Sequence, residues 1–197
     1  LIAGDHQGLA ALLAALLTAA GATPVLCDPV QAETAPGPFA GLIHLTPMNA
    51  APVALTDAPA RWWDQVESAD KAAYRLARAH ATGLATGRLI FATALGGQFL
   101  RDAQPGDLLL AGGTTGLAKS LREEWPDSRP KAIDLDPALS PDQMADILMA
   151  ELSAPFGRIE AGDPAGRRTI FRSREAAPTV LPRGVHRLED DEDGPGV

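Results

Sequence analysis

Apolar side chains recur with a helical period in several long stretches, and short apolar runs separate them. Leu9, Leu12, Leu13, Leu16 and Leu17 fall at i, i+3, i+4, i+7 and i+8. That stripe predicts an amphipathic helix, closed by Gly21. Trp63, Val66, Ala73, Leu76 and Ala77 predict the inward face of another helix, with Asp57 as its cap and Pro59 in its first turn. Met144, Ile147, Leu148 and Leu152 predict a further helix, opened by the capping box Ser140-Pro141-Asp142-Gln143. The short runs at residues 1–3, 24–27, 41–45, 88–93 and 131–135 read as strands, and 31–40 reads as loop. Residues 158–161 and 168–171 flank the turn sequence Asp163-Pro164-Ala165-Gly166 and read as a hairpin or closing strands.

Residues 111–126, A-G-G-T-T-G-L-A-K-S-L-R-E-E-W-P, form the stretch around which the chain is organised. Leu110, Leu117 and Leu121 share one helical face, while Gly112, Gly113 and Gly116 strip side chains from the first turns. Each interior glycine costs about 0.5–1 kcal/mol against alanine, so three of them imply that something comes very close. Two readings stand: a buried helix packed tightly on a sheet, or a glycine-lined cofactor edge. Under the first, Gly113 and Gly116 admit a neighbouring backbone, and Gly116→Leu should overpack the contact. Pro126 stops the helix.

Strands alternating with helices at this spacing imply right-handed crossovers and a mainly parallel sheet. The predicted fold class is α/β: truncated, Rossmann-like, mainly parallel, with helices on both faces. Residues 1–174 form its globular unit, and 175–197 read as an acidic, proline-bearing linker. The proline-broken loop at 46–56 follows the third strand, where such folds meet their ligands.

At 197 residues and 46% hydrophobic, the chain is long enough for one sizeable core. Five of its negative charges lie in one run, Glu189, Asp190, Asp191, Glu192 and Asp193, so the net −8 leaves a mildly acidic body. No basic stripe offers a nucleic-acid footprint. Cys27 is the only cysteine, which excludes an internal disulfide and suits a reducing, cytoplasmic setting. The scattered His6, His44, His80 and His186 form no metal-ligand pair. The apolar run at 9–20 is too short to span a membrane and lacks a basic segment ahead of it. The chain opens with a strand already under way and reads as cut from something longer.

A dinucleotide site needs a glycine fingerprint after the first strand. Here the turn reads Gly4-Asp5-His6-Gln7-Gly8-Leu9-Ala10, with Ala10 in the third glycine's place and Asp5 where phosphates would be repelled. Short-chain reductases protonate the nascent alkoxide with a tyrosine activated by a lysine four residues on. The only tyrosine, Tyr74, precedes Arg78 and sits in the helix before the wrong strand. Lys119 does appear on the organising helix, but Thr115 stands four residues ahead of it. Lys119 is then a surface or helix-end charge, and Glu123 and Glu124 are a solvated face. No catalytic, cofactor-binding or metal residue is assigned. Phosphoacceptor, serine-hydrolase and Walker A patterns are absent from the sequence as well.

These residues resemble the ketoreductase region of type I polyketide synthases, including the polyunsaturated-fatty-acid type. The resemblance rests on Gly41-Leu42-Ile43-His44-Leu45, on 88–93, and above all on Gly116-Leu117-Ala118-Lys119-Ser120-Leu121 running into Glu124-Trp125-Pro126. Ala132-Ile133-Asp134-Leu135-Asp136-Pro137 and the closing 167–172 continue it, so that it covers roughly residues 1–174. The resemblance implies the first, non-catalytic structural half of such a region, without the family's usual extra strand or two at the start. It implies a catalytic half following in the same chain, carrying NADPH and a Tyr-x-x-x-Lys, with other synthase domains as partners. Gly112, Gly113, Gly116, Leu117, Lys119, Glu124, Trp125 and Pro126 are the structural or interface candidates. A degenerate stand-alone short-chain reductase, or a small-molecule module using the 46–56 loop, are the alternatives.

Overall fold

In the computed structural model, residues 1–49, 59–100, 112–155 and 157–170 are described. Seven strands form one sheet: β1 (Ile2–Ala3), β2 (Leu26–Cys27), β3 (Gly41–His44), β4 (Arg88–Thr93), β5 (Arg129–Leu135), β6 (Glu160–Asp163) and β7 (Thr169–Ile170). Their spatial order is β2-β1-β3-β4-β5-β6-β7. Every neighbouring pair is parallel except β6–β7, which closes the edge as an antiparallel hairpin.

The sheet is covered on both faces, and strand alternation assigns each side chain to its core. Ile90 and Ala92 of β4 and Ile133 and Leu135 of β5 face α1 (Leu9–Ala19) and α7 (Pro141–Ser153), where Leu9, Leu13, Met144 and Leu148 are buried. Leu89 and Phe91 of β4 and Ala132 of β5 face the other layer. That layer holds α2 (Pro29–Thr34), α4 (Ala72–Ala79), α5 (Ala81–Leu84) and α6 (Gly112–Glu124), while α3 (Pro59–Gln65) buries no residue. The buried and mainly apolar runs of β3, β4 and β5 are what a doubly covered parallel sheet requires.

The strands lie where the apolar runs predict them, and the Ser140 capping box forms with both of its reciprocal hydrogen bonds. Two expectations are corrected. The stretch at 31–40 is not all loop, because α2 occupies its first residues. Asp28 caps that helix by accepting from the amides of Val30 and Gln31, each at 2.9 Å, and Pro29 fills its first position. Trp63 does not face the core; it is 55% exposed, whereas Ala73, Leu76 and Ala77 are buried as expected. The cause lies between them: Val66–Lys71 is a π-helical segment, whose wider turn breaks the period on which Trp63 was aligned with the rest. Asp57, most of the 46–56 loop, Leu110, Ala111 and residues 171–197, including the predicted linker, lie outside the described residues.

Candidate functional site

Strand order reverses direction beside β1, and open parallel sheets take their ligands in the crevice at such a point. A cleft of about 550 Å³ opens there, bounded by Gly4 and Asp5 after β1, Cys27 and Asp28 at the end of β2, and Thr46 and Asn49 after β3. Thr46–Asn49, the start of the predicted ligand loop, is a 3-10 turn. Asn49 ties it to the β1–α1 turn: its side-chain amide donates to the Asp5 carbonyl at 2.7 Å, and its Oδ1 lies 2.8 Å from His6 Nδ1.

The α1 N-terminus is the natural anion position of this crevice, since the first amides of a helix point outward unpaired. Here they are already engaged. The Asp5 carboxylate accepts from the amide of Gly8 at 2.9 Å and of Ala10 at 2.7 Å. Partial burial pushes the Asp5 carboxyl up, but the amides of Ala10, Gly8 and His6 outweigh it and hold the carboxyl below its usual range. A negative charge therefore occupies the place where a dinucleotide would put its pyrophosphate. Among the described residues no group of three or more His, Cys, Asp or Glu side chains is placed to hold a metal.

The organising helix behaves differently from end to end. At its start the carboxylate of Asp70, from the π segment, accepts from the amide of Thr114 at 3.0 Å and also engages that of Gly113. Burial lifts the Asp70 carboxyl above its usual range against the pull of those two amides. Gly113 is the glycine that this contact demands, since a Cβ there would lie 2.4 Å from the Asp70 carboxyl. Gly112 and Gly116 are exposed with open space about them, so the expectation of a tight backbone contact at Gly116 is corrected. The close approach is to a side chain, and it falls one turn earlier. Gly113→Ala is accordingly expected to displace the Asp70 cap and cost about 1 kcal/mol. Gly116→Ala is expected to stabilise by about 0.5–1 kcal/mol through helix propensity alone. Urea unfolding of the two variants checks the opposite signs.

Further along, Leu117 is half-buried against the core and Thr115 Oγ1 makes no hydrogen bond. Lys119 turns to Glu160 of β6, Nζ to Oε1 2.8 Å, with its own side chain 55% exposed. Glu124 ends the helix exposed, Trp125 folds back half-buried onto the core, and Pro126 is exposed. The α6 candidates thus serve packing, a cap and a surface ion pair, and they do not converge on the crevice.

Sequence reasoning missed Asp134, which β5 carries into the interior with no exposure at all. It accepts from Thr93 Oγ1 at 2.6 Å and from the amides of Leu95 and Phe99, each at 2.7 Å. Burial pushes its carboxyl up, with those hydrogen bonds and one from Gln98 opposing. A charged residue inside the run Ala132-Ile133-Asp134-Leu135 was the available signal, because buried carboxylates are rare without partners.

No protein-family model matches the chain, and no curated protein matches it. Solved structures do resemble it. The adenylation, ketoreductase and pseudo-Asub multidomain structure of a keto acid-selecting NRPS module superposes with a TM-score of 0.61 at 17% identity, over 86% of this chain and 16% of that one. A small-chain dehydrogenase gives 0.66 at 16% identity, covering 81% of this chain and 91% of the other. An apo SCOR enzyme from Clostridium thermocellum gives 0.59 at 14% identity, over 81% and 87%. At such identities the likeness is one of fold. The chain has the mainly parallel, Rossmann-like α/β fold found in short-chain dehydrogenase/reductase structures.

Proposed function

We propose that this chain is the non-catalytic structural half of a ketoreductase in a type I polyketide or fatty-acid megasynthase. In that role it packs against and steadies the NADPH-binding half that reduces β-ketoacyl thioesters. The observation that carries the reading is the state of α6: where a reductase needs an acidic hydroxyl and a free lysine, Thr115 stands without a hydrogen bond and Lys119 is paired with Glu160. The Asp5 carboxylate on the α1 amides supports it, because like charge opposes a pyrophosphate there. The NRPS module adds context, as the chain spans only 16% of a multidomain protein described as containing a ketoreductase.

The fragment alone is expected to give no saturable rise in NADPH fluorescence and no turnover of a β-ketoacyl thioester analogue. Saturable binding, or turnover abolished by Lys119→Ala, favours the stand-alone reductase instead. The roughly 550 Å³ cleft favours a second reading, a small-molecule module, and it includes Thr46 and Asn49 of the predicted loop. A melting temperature raised by an uncharged small ligand, with NADPH still silent, would select it.

A further inference from the structure

Past Thr93 the chain does not run out into solvent but folds down over the ends of its neighbours. Residues 94–100 contain four left-handed residues: Gly96 (φ 89°), Gly97 (φ 74°), Phe99 (φ 50°) and Leu100 (φ 62°). For Phe99 and Leu100 that backbone is disfavoured, so something outside the segment has to hold it. Gly97 rests on the backbone of Asp163 and Pro164, where a Cβ would come within 2.4 Å of the Pro164 nitrogen. The segment thereby covers the carboxyl ends of β5 and β6.

One group gathers its amides. The amides of Leu95, Gln98 and Phe99 converge on the Asp134 carboxylate, and the Thr93 hydroxyl completes the set. Amides turned inward in this way, those of Gln98 and Phe99 being successive, resemble a nest, a backbone concavity that ordinarily receives an external anion. In this chain the anion is resident. Beneath the segment, Asp163 is 4% exposed and its Oδ1 has no hydrogen-bond partner. An unsatisfied buried oxygen makes the closed arrangement costly on that side. The closed state is therefore opposed by left-handed backbone and an orphaned carboxylate oxygen, and favoured by the hydrogen bonds to Asp134 together with the packing of Phe99 on the core.

We propose that residues 94–100 are a latch, shut by the Asp134 carboxylate acting as the nest's built-in anion, and that releasing it opens the carboxyl edge of β4, β5 and β6. Asp134 is here a positioning residue, and the inference stands whether or not the role proposed above is correct.

Amide hydrogen exchange of the whole chain by NMR tests it. In the native protein the amides of Leu95 and Phe99 should be protected like those of the β4–β5 ladder. In Asp134→Ala they should exchange at least about tenfold faster while Ile90 and Ile133 keep their protection, since local opening proceeds without global unfolding. Formate or acetate, small enough to enter the emptied nest, should restore part of that protection. Should Asp134→Ala fail to fold, Thr93→Val removes only one of the bonds and should loosen the same two amides to a lesser degree. The proposal is overturned if the native Leu95 and Phe99 amides exchange as fast as exposed loop. It is overturned equally if protection falls uniformly through β4 and β5, or if neither formate nor acetate restores any.

Discussion

Glu151→Ala is expected to cost about 3–5 kcal/mol, because it leaves the Lys131 ammonium buried without a counter-charge. Lys131 and Glu151 are each only 4% exposed, one on β5 and the other on α7. Lys131 Nζ donates to Glu151 Oε2 at 2.8 Å and to the Glu151 carbonyl at 2.6 Å, while Arg168 reaches the other carboxylate oxygen. Burial alone would raise the Glu151 carboxyl, but Arg168 and Lys131 overcome it and hold the carboxyl below its usual range. A loss of that size corresponds to roughly 10 °C in melting temperature for a domain of this length. Thermal unfolding of Glu151→Ala measures it. Lys131→Met combined with Glu151→Leu should recover most of the loss, since an apolar pair of similar volume removes both charges together. A Glu151→Ala variant melting within a degree or two of the parent would mean that water reaches Lys131.

Acid should weaken the fold well before its surface carboxylates titrate, and His44 should be the largest single cause. The ring is fully buried, edge-on to Phe91 with 6.5 Å between centroids, and its Nε2 lies 3.2 Å from the Ala69 carbonyl. Nδ1 has no partner. Burial lowers its pKa from 6.5 to about 4, against a smaller upward pull from the Ala69 carbonyl. Between those two values the unfolded chain carries the proton and the folded chain does not, so stability falls as pH drops through that window. The effect reaches about 2 kcal/mol by about pH 5 and about 3 kcal/mol near pH 4. His44→Phe removes the titrating group and the orphaned nitrogen while keeping the aromatic contact. The slope of melting temperature against pH should therefore flatten between about pH 7 and 5 in that variant. Parallel slopes in the two proteins would show that His44 does not set the acid limit.

The two predictions rest on residues that a one-dimensional reading sees poorly. Strands were legible because β3, β4 and β5 are buried on both faces and read as short, mainly apolar runs, broken only by buried polar residues such as His44, Lys131 and Asp134. The α7 start was legible because a capping box is local chemistry. α2 escaped although Asp28-Pro29 is a capping pair, since the proline-rich composition beyond it drew the segment toward loop. Trp63 was misplaced because one extra residue in a turn leaves no mark in a count of threes and fours.

At the site, the spoiled glycine turn and the unsuitable Thr115 were readable from residue types alone. The partners were not. Lys119 finding Glu160, Asp70 capping α6 and Asp134 gathering residues 95–99 each depend on where the fold brings distant segments, whereas Asp5 reaching Ala10 depends on the backbone of one turn. Gly113 and Gly116 make the point most sharply. They are identical in sequence terms, yet one meets a carboxyl and the other meets open space.

The π turn at Val66–Lys71 has a consequence for how this surface can change through insertion and deletion. Ala72, Ala73, Leu76 and Ala77 are anchored in the core, whereas α3 buries no residue. Removing a single residue from the wide turn would restore ordinary helical winding yet leave α3 aimed much as it is, because a π turn winds one extra residue into nearly the same rotation. Trp62 and Trp63 would keep their direction while the anchored half stayed seated. The wide turn is in effect a buffer of length, and the outer helix keeps its aim through a one-codon change there. The same deletion in ordinary helix would swing the aromatic face by about 100°.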